Sequence, residues 1–165
     1  MLRPCGERDL IGVWDVINDG ARAYCGVIPA DCWREPYMPI EELQHQIAQG
    51  VRFWGCELDA GLVGVMGLQE VRDVALIRHA YVRTQYRNQG IGGRLLAELR
   101  SHTEQRLLVG TWAAARWAIL FYEKHGFQLV PEPAGRQLLH TYWTISQRQA
   151  ELSVVLAAPD PRRED

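Results

Sequence analysis

The chain has 165 residues, of which 47% are hydrophobic and 23% charged, with a formal net charge of −2. At ~100–200 residues per domain this is one domain, long enough to bury a core without disulfide or metal staples. The composition excludes a disordered or fibrous chain, no apolar run nears the ~20 residues of a membrane-spanning helix, and the charge argues against nucleic acid as partner.

Met1-Leu2-Arg3-Pro4 runs straight into polar sequence, so no signal segment is expected. Cys5, Cys25, Cys32 and Cys56 are widely and irregularly spaced, without a C-x-x-C pair or a His at ligand spacing. The expectation is a cytoplasmic protein with reduced thiols, four mostly buried small hydrophobes and no metal site.

Leu10, Ile11, Trp14, Ile17 and Ala21 predict an amphipathic helix over 7–24. Pro29, Pro36 and Pro39 break the following stretch. A second helix begins after Pro39, with Glu41 and Glu42 in its first turn, and closes at Gly50. Val51–Leu58 and Leu62–Gln69, joined by Asp59-Ala60-Gly61, read as a hairpin. Val74–Arg83 has the near-continuous apolar content of a central strand. Ile91, Leu95, Leu96 and Leu99 give a helix over 91–102, followed by a short strand at 106–110. A helix over 113–125 ends at the left-handed cap Gly126, and a strand over 127–130 stops at Pro131. Leu138, Leu139, Tyr142 and Trp143 have helical spacing, and Leu152–Ala157 is a final strand. The order predicts an α+β fold, a mixed, mostly antiparallel sheet with helices on both faces. Residues 1–158 form the single domain and 159–165 (PDPRRED) a frayed tail.

The most informative segment is Tyr86-Arg87-Asn88-Gln89-Gly90-Ile91-Gly92-Gly93-Arg94, between a strand and a helix. Glycines let backbone N–H groups approach a ligand, and the first amides of a helix lack intrahelical partners, so the pattern suits a phosphate or pyrophosphate. From Arg78 to Arg100 the net charge is +4, leaving −6 on the rest of the chain. A local basic patch on an acidic protein favours a small polyanion. The dinucleotide fingerprint fails because Leu95 stands where its third Gly belongs, and no Gly-Lys-Ser/Thr ends a P-loop here. The alternative is that these glycines merely shape a turn.

At these residues the sequence resembles the GNAT superfamily of acetyl-CoA-dependent N-acetyltransferases. Arg87-Asn88-Gln89-Gly90-Ile91-Gly92, five residues after Val82, matches the R/Q-x-x-G-x-G/A signature, and Phe121-Tyr122-Glu123-Lys124-His125-Gly126-Phe127 is similar to the family's late helix and following strand. The resemblance implies that the amides of Asn88, Gln89, Gly90, Ile91, Gly92 and Gly93 wrap the coenzyme A pyrophosphate, with Arg87 at the entrance; the local positive charge adds Arg94 as a further candidate cofactor-binding cation. It implies that the preceding strand splays from its neighbour, so that Ala80, Tyr81 and Val82 hold the pantetheine arm and one of their amides polarises the thioester carbonyl. Tyr122 matches the general acid: a phenol of pKa ~10 can protonate a departing thiolate of pKa roughly 8.5–10. One departure stands out, since Ala115 replaces the Asn that many members carry seven residues before the Tyr.

For the general base, His79 is the first candidate and Glu70 the second, with a water chain as the other route. Trp33, in the Pro-broken loop, is the residue expected to line the acceptor site, while Trp14, Trp112, Trp117 and Trp143 are assigned to packing. The implied activity is transfer of acetyl from acetyl-CoA to a primary amine, of a small molecule or a peptide, by direct attack in a ternary complex. A non-catalytic acyl-CoA-binding sensor is the alternative, and a cysteine-based transferase using Cys25 or Cys32 lacks a matched His. The acceptor and any preference beyond acetyl stay open. No nucleic acid or membrane partner is expected, and a homodimer pairing through the strand at 152–157 is foreseen.

Overall fold

The computed structural model describes residues 1–163. Its strands are β1 (Leu2–Pro4), β2 (Arg52–Leu58), β3 (Gly61–Val71), β4 (Val74–Val82), β5 (Arg106–Trp112), β6 (Gln128–Leu129) and β7 (Ser153–Ala157). Its helices are α1 (Leu10–Gly20), α2 (Ile40–Ala48), α3 (Ile91–Arg100), α4 (Arg116–Lys124), α5 (Ala134–Tyr142) and α6 (Gln147–Glu151). Together the strands form one sheet in the order β1-β2-β3-β4-β5-β7-β6, with β4–β5 as its parallel pair and every other pairing antiparallel. The fold is α+β, as the element order predicts.

Alternation along the central strands distributes the core. Ala75, Ile77, Leu107, Val109 and Leu156 pack with Ile91, Leu95, Leu96 and Leu99 of α3 and Tyr122 of α4. Their neighbours Val74, Leu76, Leu108, Val155 and Ala157 point the other way, onto Leu139 of α5. That second face continues over β2 and β3, where Phe53 and Val65 meet Val13, Val16 and Ile17 of α1 and Leu43 of α2. The central strands are therefore apolar on both faces, which is why Val74–Ile77 reads as a continuous run.

Several expectations change. The N-terminal residues, for which no element is predicted, form β1 against β2; three residues are too short for a periodic signal. The Arg3 guanidinium fastens this edge, donating to Asp9 at 2.8 and 2.9 Å and to Glu57 at 2.7 Å. Two fork-like bonds hold the Asp9 carboxyl down at about 2. The terminal strand is an inner strand over residues 155–157, which leaves little of it for the foreseen pairing across subunits. β5 takes one edge of β7 along its length, while β6 and the Val130 amide take the other over residues 155–157. Of the cysteines, Cys56 is buried, Cys5 and Cys32 are half-buried and Cys25 is exposed. In the expected tail, the Asp160 carboxylate accepts from the Arg162 amide and guanidinium in a turn, and residues 164 and 165 lie outside the described residues.

The segment between α1 and α2 is irregular but anchored. Trp14 Nε1 donates to the Met38 carbonyl at 2.7 Å, and Asn18 accepts from the Met38 amide at 2.8 Å. These bonds fix the loop just beyond Tyr37, which matters for the site below.

Candidate active site

β4 and β5 pair only from Val74–Ile77 to Arg106–Val109. Beyond that point β5 continues beside β7 and β4 continues beside β3, so a wedge opens between them. A β-bulge drives the divergence: opposite Val65–Gly67 of β3, β4 fits in an extra residue, and His79 takes φ +53°. A bulge bends its strand, here away from β5. The β5-side edge of β4 is thus free of strand partners from Arg78 to Val82, which leaves backbone groups of Ala80, Tyr81 and Val82 open for an added strand-like ligand.

A cavity of about 600 Å³ fills the wedge. Ala80 and Tyr81 of β4 face Gly110, Thr111 and Trp112 of β5 across it, and Tyr122 closes it from the α4 side. Tyr122 is 4% exposed, yet its hydroxyl has no hydrogen-bond partner among the described residues. Its ring is set by edge contacts to Phe121 at 5.0 Å and Phe127 at 5.4 Å. Desolvation lifts its pKa above the ordinary phenol value, so the hydroxyl carries its proton at neutral pH.

One wall is aromatic. Tyr24 lies 5.3 Å from Tyr37 and edge-on to Tyr81 at 6.2 Å, and Trp112 Nε1 donates to the Tyr37 hydroxyl at 2.8 Å. Burial raises Tyr24 and Tyr37 as well. Trp33, expected to line the acceptor site, instead stacks on Tyr37 at 5.8 Å behind the wall. It backs the tyrosine that does the lining. Trp112 and Trp143, assigned to packing, do border the cavity.

The mouth of the wedge leads to the glycine-rich turn. Asn88 (φ +60°) and Gly90 (φ +79°) are both left-handed, with Gln89 between them, and α3 starts at Ile91. Alternating handedness turns successive N–H groups toward one side, forming an anion-binding concavity at a helix N-terminus. The amides of Asn88 through Gly93 have no acceptor among the described residues; the first α3 bond recorded is from Arg94 to the Gly90 carbonyl. Coenzyme A fits this set: a backbone cradle for its pyrophosphate and an open strand edge for its pantetheine arm.

Gly92 and Gly93 serve a purpose besides the cradle. A Cβ on Gly92 would lie 3.2 Å from the Phe121 ring, and one on Gly93 would lie 3.0 Å from His125. They let α3 approach α4, and so fix Tyr122 relative to the turn. Gly90 has open space around its missing Cβ, so its conformation alone requires it.

The two arginines of the motif differ. Arg87 Nη2 donates to the Gly20 carbonyl at 3.0 Å, tying the turn to the end of α1 alongside the Thr84 amide on Asp19 at 2.8 Å. Arg94 is solvent-exposed in the first turn of α3 and forms no ion pair among the described residues. Arg94→Ala should therefore weaken coenzyme A binding by about 1–2 kcal/mol, with the loss fading at high salt. Arg87→Ala should lower the melting temperature more than the affinity. Calorimetry and thermal melts separate the two; equal affinity losses would refute this division.

The base candidates also divide. Glu70 lies at the opposite end of β3, paired with Ala75 and accepting from Thr103 at 3.0 Å, away from the cavity. His79 borders the cavity, but its Nε2 meets the Gln46 carbonyl oxygen, and burial beside Arg78 pushes its pKa down to about 3. That makes it a poor proton acceptor at neutral pH, and its geometry gives it a positioning task on Gln46. Because the folded pKa lies below the unfolded value of ~6.5, the unfolded chain binds the extra proton between these limits. Stability linked to His79 is complete above ~6.5 and falls as pH drops toward 3, at up to ~1.4 kcal/mol per pH unit. His79→Asn, which tolerates the left-handed backbone, should flatten the melting temperature against pH in that window. An unchanged acid slope would show that His79 is not buried neutral.

Sequence reasoning missed Glu42 and Gln46 of α2 and Asp31, Ser146 and Arg148 near α6, all bordering the cavity. α2 shows only an amphipathic pattern, and α6 has five residues, so neither announces a site.

Residues 49–129, from the approach to β2 through β6, match the family described as acetyltransferase (GNAT) domain. No curated protein matches the chain. Among solved structures, PaiA N-acetyltransferase from Thermoplasma acidophilum, crystallised with coenzyme A, is similar at 19% identity and TM-score 0.72, covering 96% of this chain and 97% of that one. Ribosomal-protein-alanine N-acetyltransferase from Brucella melitensis is 20% identical with TM-score 0.64, over 95% and 97% of the two chains. N-acetylglutamate synthase from Neisseria gonorrhoeae, complexed with coenzyme A and L-arginine, is 20% identical with TM-score 0.62, over 96% of this chain and 32% of that one. The matched segment contains the wedge, the glycine-rich turn and Tyr122, and the fold around it is that of these acetyltransferases: residues 49–129 match the GNAT acetyltransferase domain, and the chain as a whole has its fold.

Proposed function

We propose that the protein transfers an acetyl group from acetyl-CoA to a primary amine by direct attack in a ternary complex. The observation that carries this is the placement of an unpartnered, protonated phenol, Tyr122, on the same cavity as an unpaired strand edge and next to an unsatisfied amide cradle. When bound, acetyl-CoA would supply the activated acyl group, and coenzyme A would leave as the free thiol.

The amides of Asn88 through Gly93 hold the pyrophosphate, assisted by Arg94, and need no reorganisation because none has another acceptor. Ala80, Tyr81 and Val82 orient the pantetheine arm along β4 and present an N–H to the thioester oxygen. The aromatic wall of Tyr24, Tyr37 and Tyr81 excludes water around the reacting carbon. Tyr122 then gives its proton to the departing sulfur. Burial raises the phenol, but it raises the thiol as well, so the two stay matched. With His79 weak and Glu70 remote, the amine reaches the carbonyl already neutral or loses its proton to water in the cavity.

The test is acetyl-CoA consumption over a panel of amines, with calorimetry of acetyl-CoA binding alongside. Turnover with an amine supports the reading. Tight acetyl-CoA binding without turnover on any amine replaces it by the sensor reading, and absence of binding removes both.

A further inference from the structure

The acceptor half of the cavity holds an unusual charge. Two carboxylates border it, and both are engaged: Glu42 with Arg34 at 2.5 Å and Asp31 with Arg148 at 3.2 Å. Arg78, on β4 at the bulge, also borders the cavity and is half-buried, but its hydrogen-bond partners are neutral amides. Nη1 donates to Gln69 Oε1 at 2.9 Å and Nη2 to Gln46 Oε1 at 3.2 Å. Further N–H donors of the guanidinium have no acceptor among the described residues. Glu42 acts on it through space without an ion pair, and burial keeps His79 beside it neutral.

We infer that Arg78 is a carboxylate-binding residue and that the acceptor is a small amino acid, an amine that bears its own carboxylate. The inference rests on the transferase reading for the amine and goes beyond it in naming the acceptor class. The structure favours it on two counts. A bound carboxylate would complete the guanidinium's hydrogen bonding with a charge-assisted, fork-like contact. A second cationic group, as in a polyamine or an aminoglycoside, would find no uncommitted acid and would meet Arg78 as a like charge. Gln46 supports the arrangement, because its amide oxygen accepts from both Arg78 and His79 and so holds the guanidinium on the cavity wall.

The experiment measures binding and does not depend on turnover. Calorimetry on the protein saturated with coenzyme A compares α-, β- and γ-amino acids, including aromatic ones, with their carboxamides and with diamines of equal length. At least one amino acid should bind tenfold or more tightly than its carboxamide. Arg78→Gln should erase that difference while leaving coenzyme A affinity unchanged, and Arg78→Lys should restore part of it. If the Arg78→Gln protein melts early, the wild-type acid–amide comparison decides alone. No preference for any acid over its amide, or a preference that survives Arg78→Gln in a folded protein, overturns the inference. Turnover on diamines with no carboxylate preference would leave the transferase reading intact and refute this one. Amino acid binding without turnover would do the reverse.

Discussion

Tyr122→Phe should lower kcat by about 10²–10⁴-fold, the usual range for a lost general acid, with acetyl-CoA affinity unchanged. The substitution is clean in this fold. The ring stays in its place against Phe121 and Phe127, and the lost hydroxyl has no partner among the described residues to leave stranded. Stability should therefore shift little, within ~0.5 kcal/mol. Loss of a proton donor also has a signature that loss of positioning lacks. Acyl donors whose leaving thiol has a lower pKa need less help, so the deficit should shrink with them. A deficit uniform across donors would make Tyr122 a positioning residue, and full activity would remove it from the chemistry.

The wild-type pH profile supplies a second readout for the same group. Burial raises Tyr122, so any alkaline limb due to its ionisation should lie above the ordinary phenol value. His79, held near 3, should contribute no limb around neutrality. An acidic limb in kcat/KM then follows the acceptor amine, and it should move when amines of different pKa are compared.

Much of the architecture is legible in the sequence because strand and helix periods are strong where elements are long. Val74–Ile77 announces a central strand, Ile91 to Leu99 a helix on a sheet, and Gly126 a helix end. The anion cradle is legible too, since Gly90, Gly92 and Gly93 at a strand-to-helix junction have few other uses. Yet the reason for two of them is tertiary. Gly92 and Gly93 are required by Phe121 and His125, some thirty residues on, a contact that no local pattern encodes. Short elements stay silent: β1 has three residues and α6 has five.

The acceptor side was the least readable. Its residues come from α2, the loop before it, β4 and α6, and meet only in three dimensions. Trp33 and Tyr37 illustrate this, four residues apart in one loop, with the tyrosine on the cavity and the tryptophan behind it. The bulge that aims Arg78 and His79 has no glycine on its own strand to mark it, because His79 itself takes the left-handed backbone. Had the strand run regularly from Val74 to Val82, His79 would have looked like a free base beside the thioester.

Gly90→Asp should reduce acetyl-CoA affinity by at least 100-fold, while Gly90→Asn reduces it far less. The pair isolates charge from backbone. Both residues accept the left-handed conformation that Gly90 needs at φ +79°, and neither meets an atom within 4 Å of its Cβ. Strain is thus similar in the two variants and cancels in the comparison. The aspartate adds a carboxylate where unsatisfied amides and the positive end of α3 would meet a pyrophosphate, so like charges are forced together and the cradle is already occupied. Gly92→Asp would be a poorer test, because its side chain would strike the Phe121 ring and displace α4 whatever the ligand. Calorimetry across a range of salt concentrations checks the assignment, since repulsion at an exposed site should weaken as salt rises. Equal affinity in Gly90→Asp and Gly90→Asn would mean that no phosphate sits on this turn, and the amides of Asn88 through Gly93 would need another ligand.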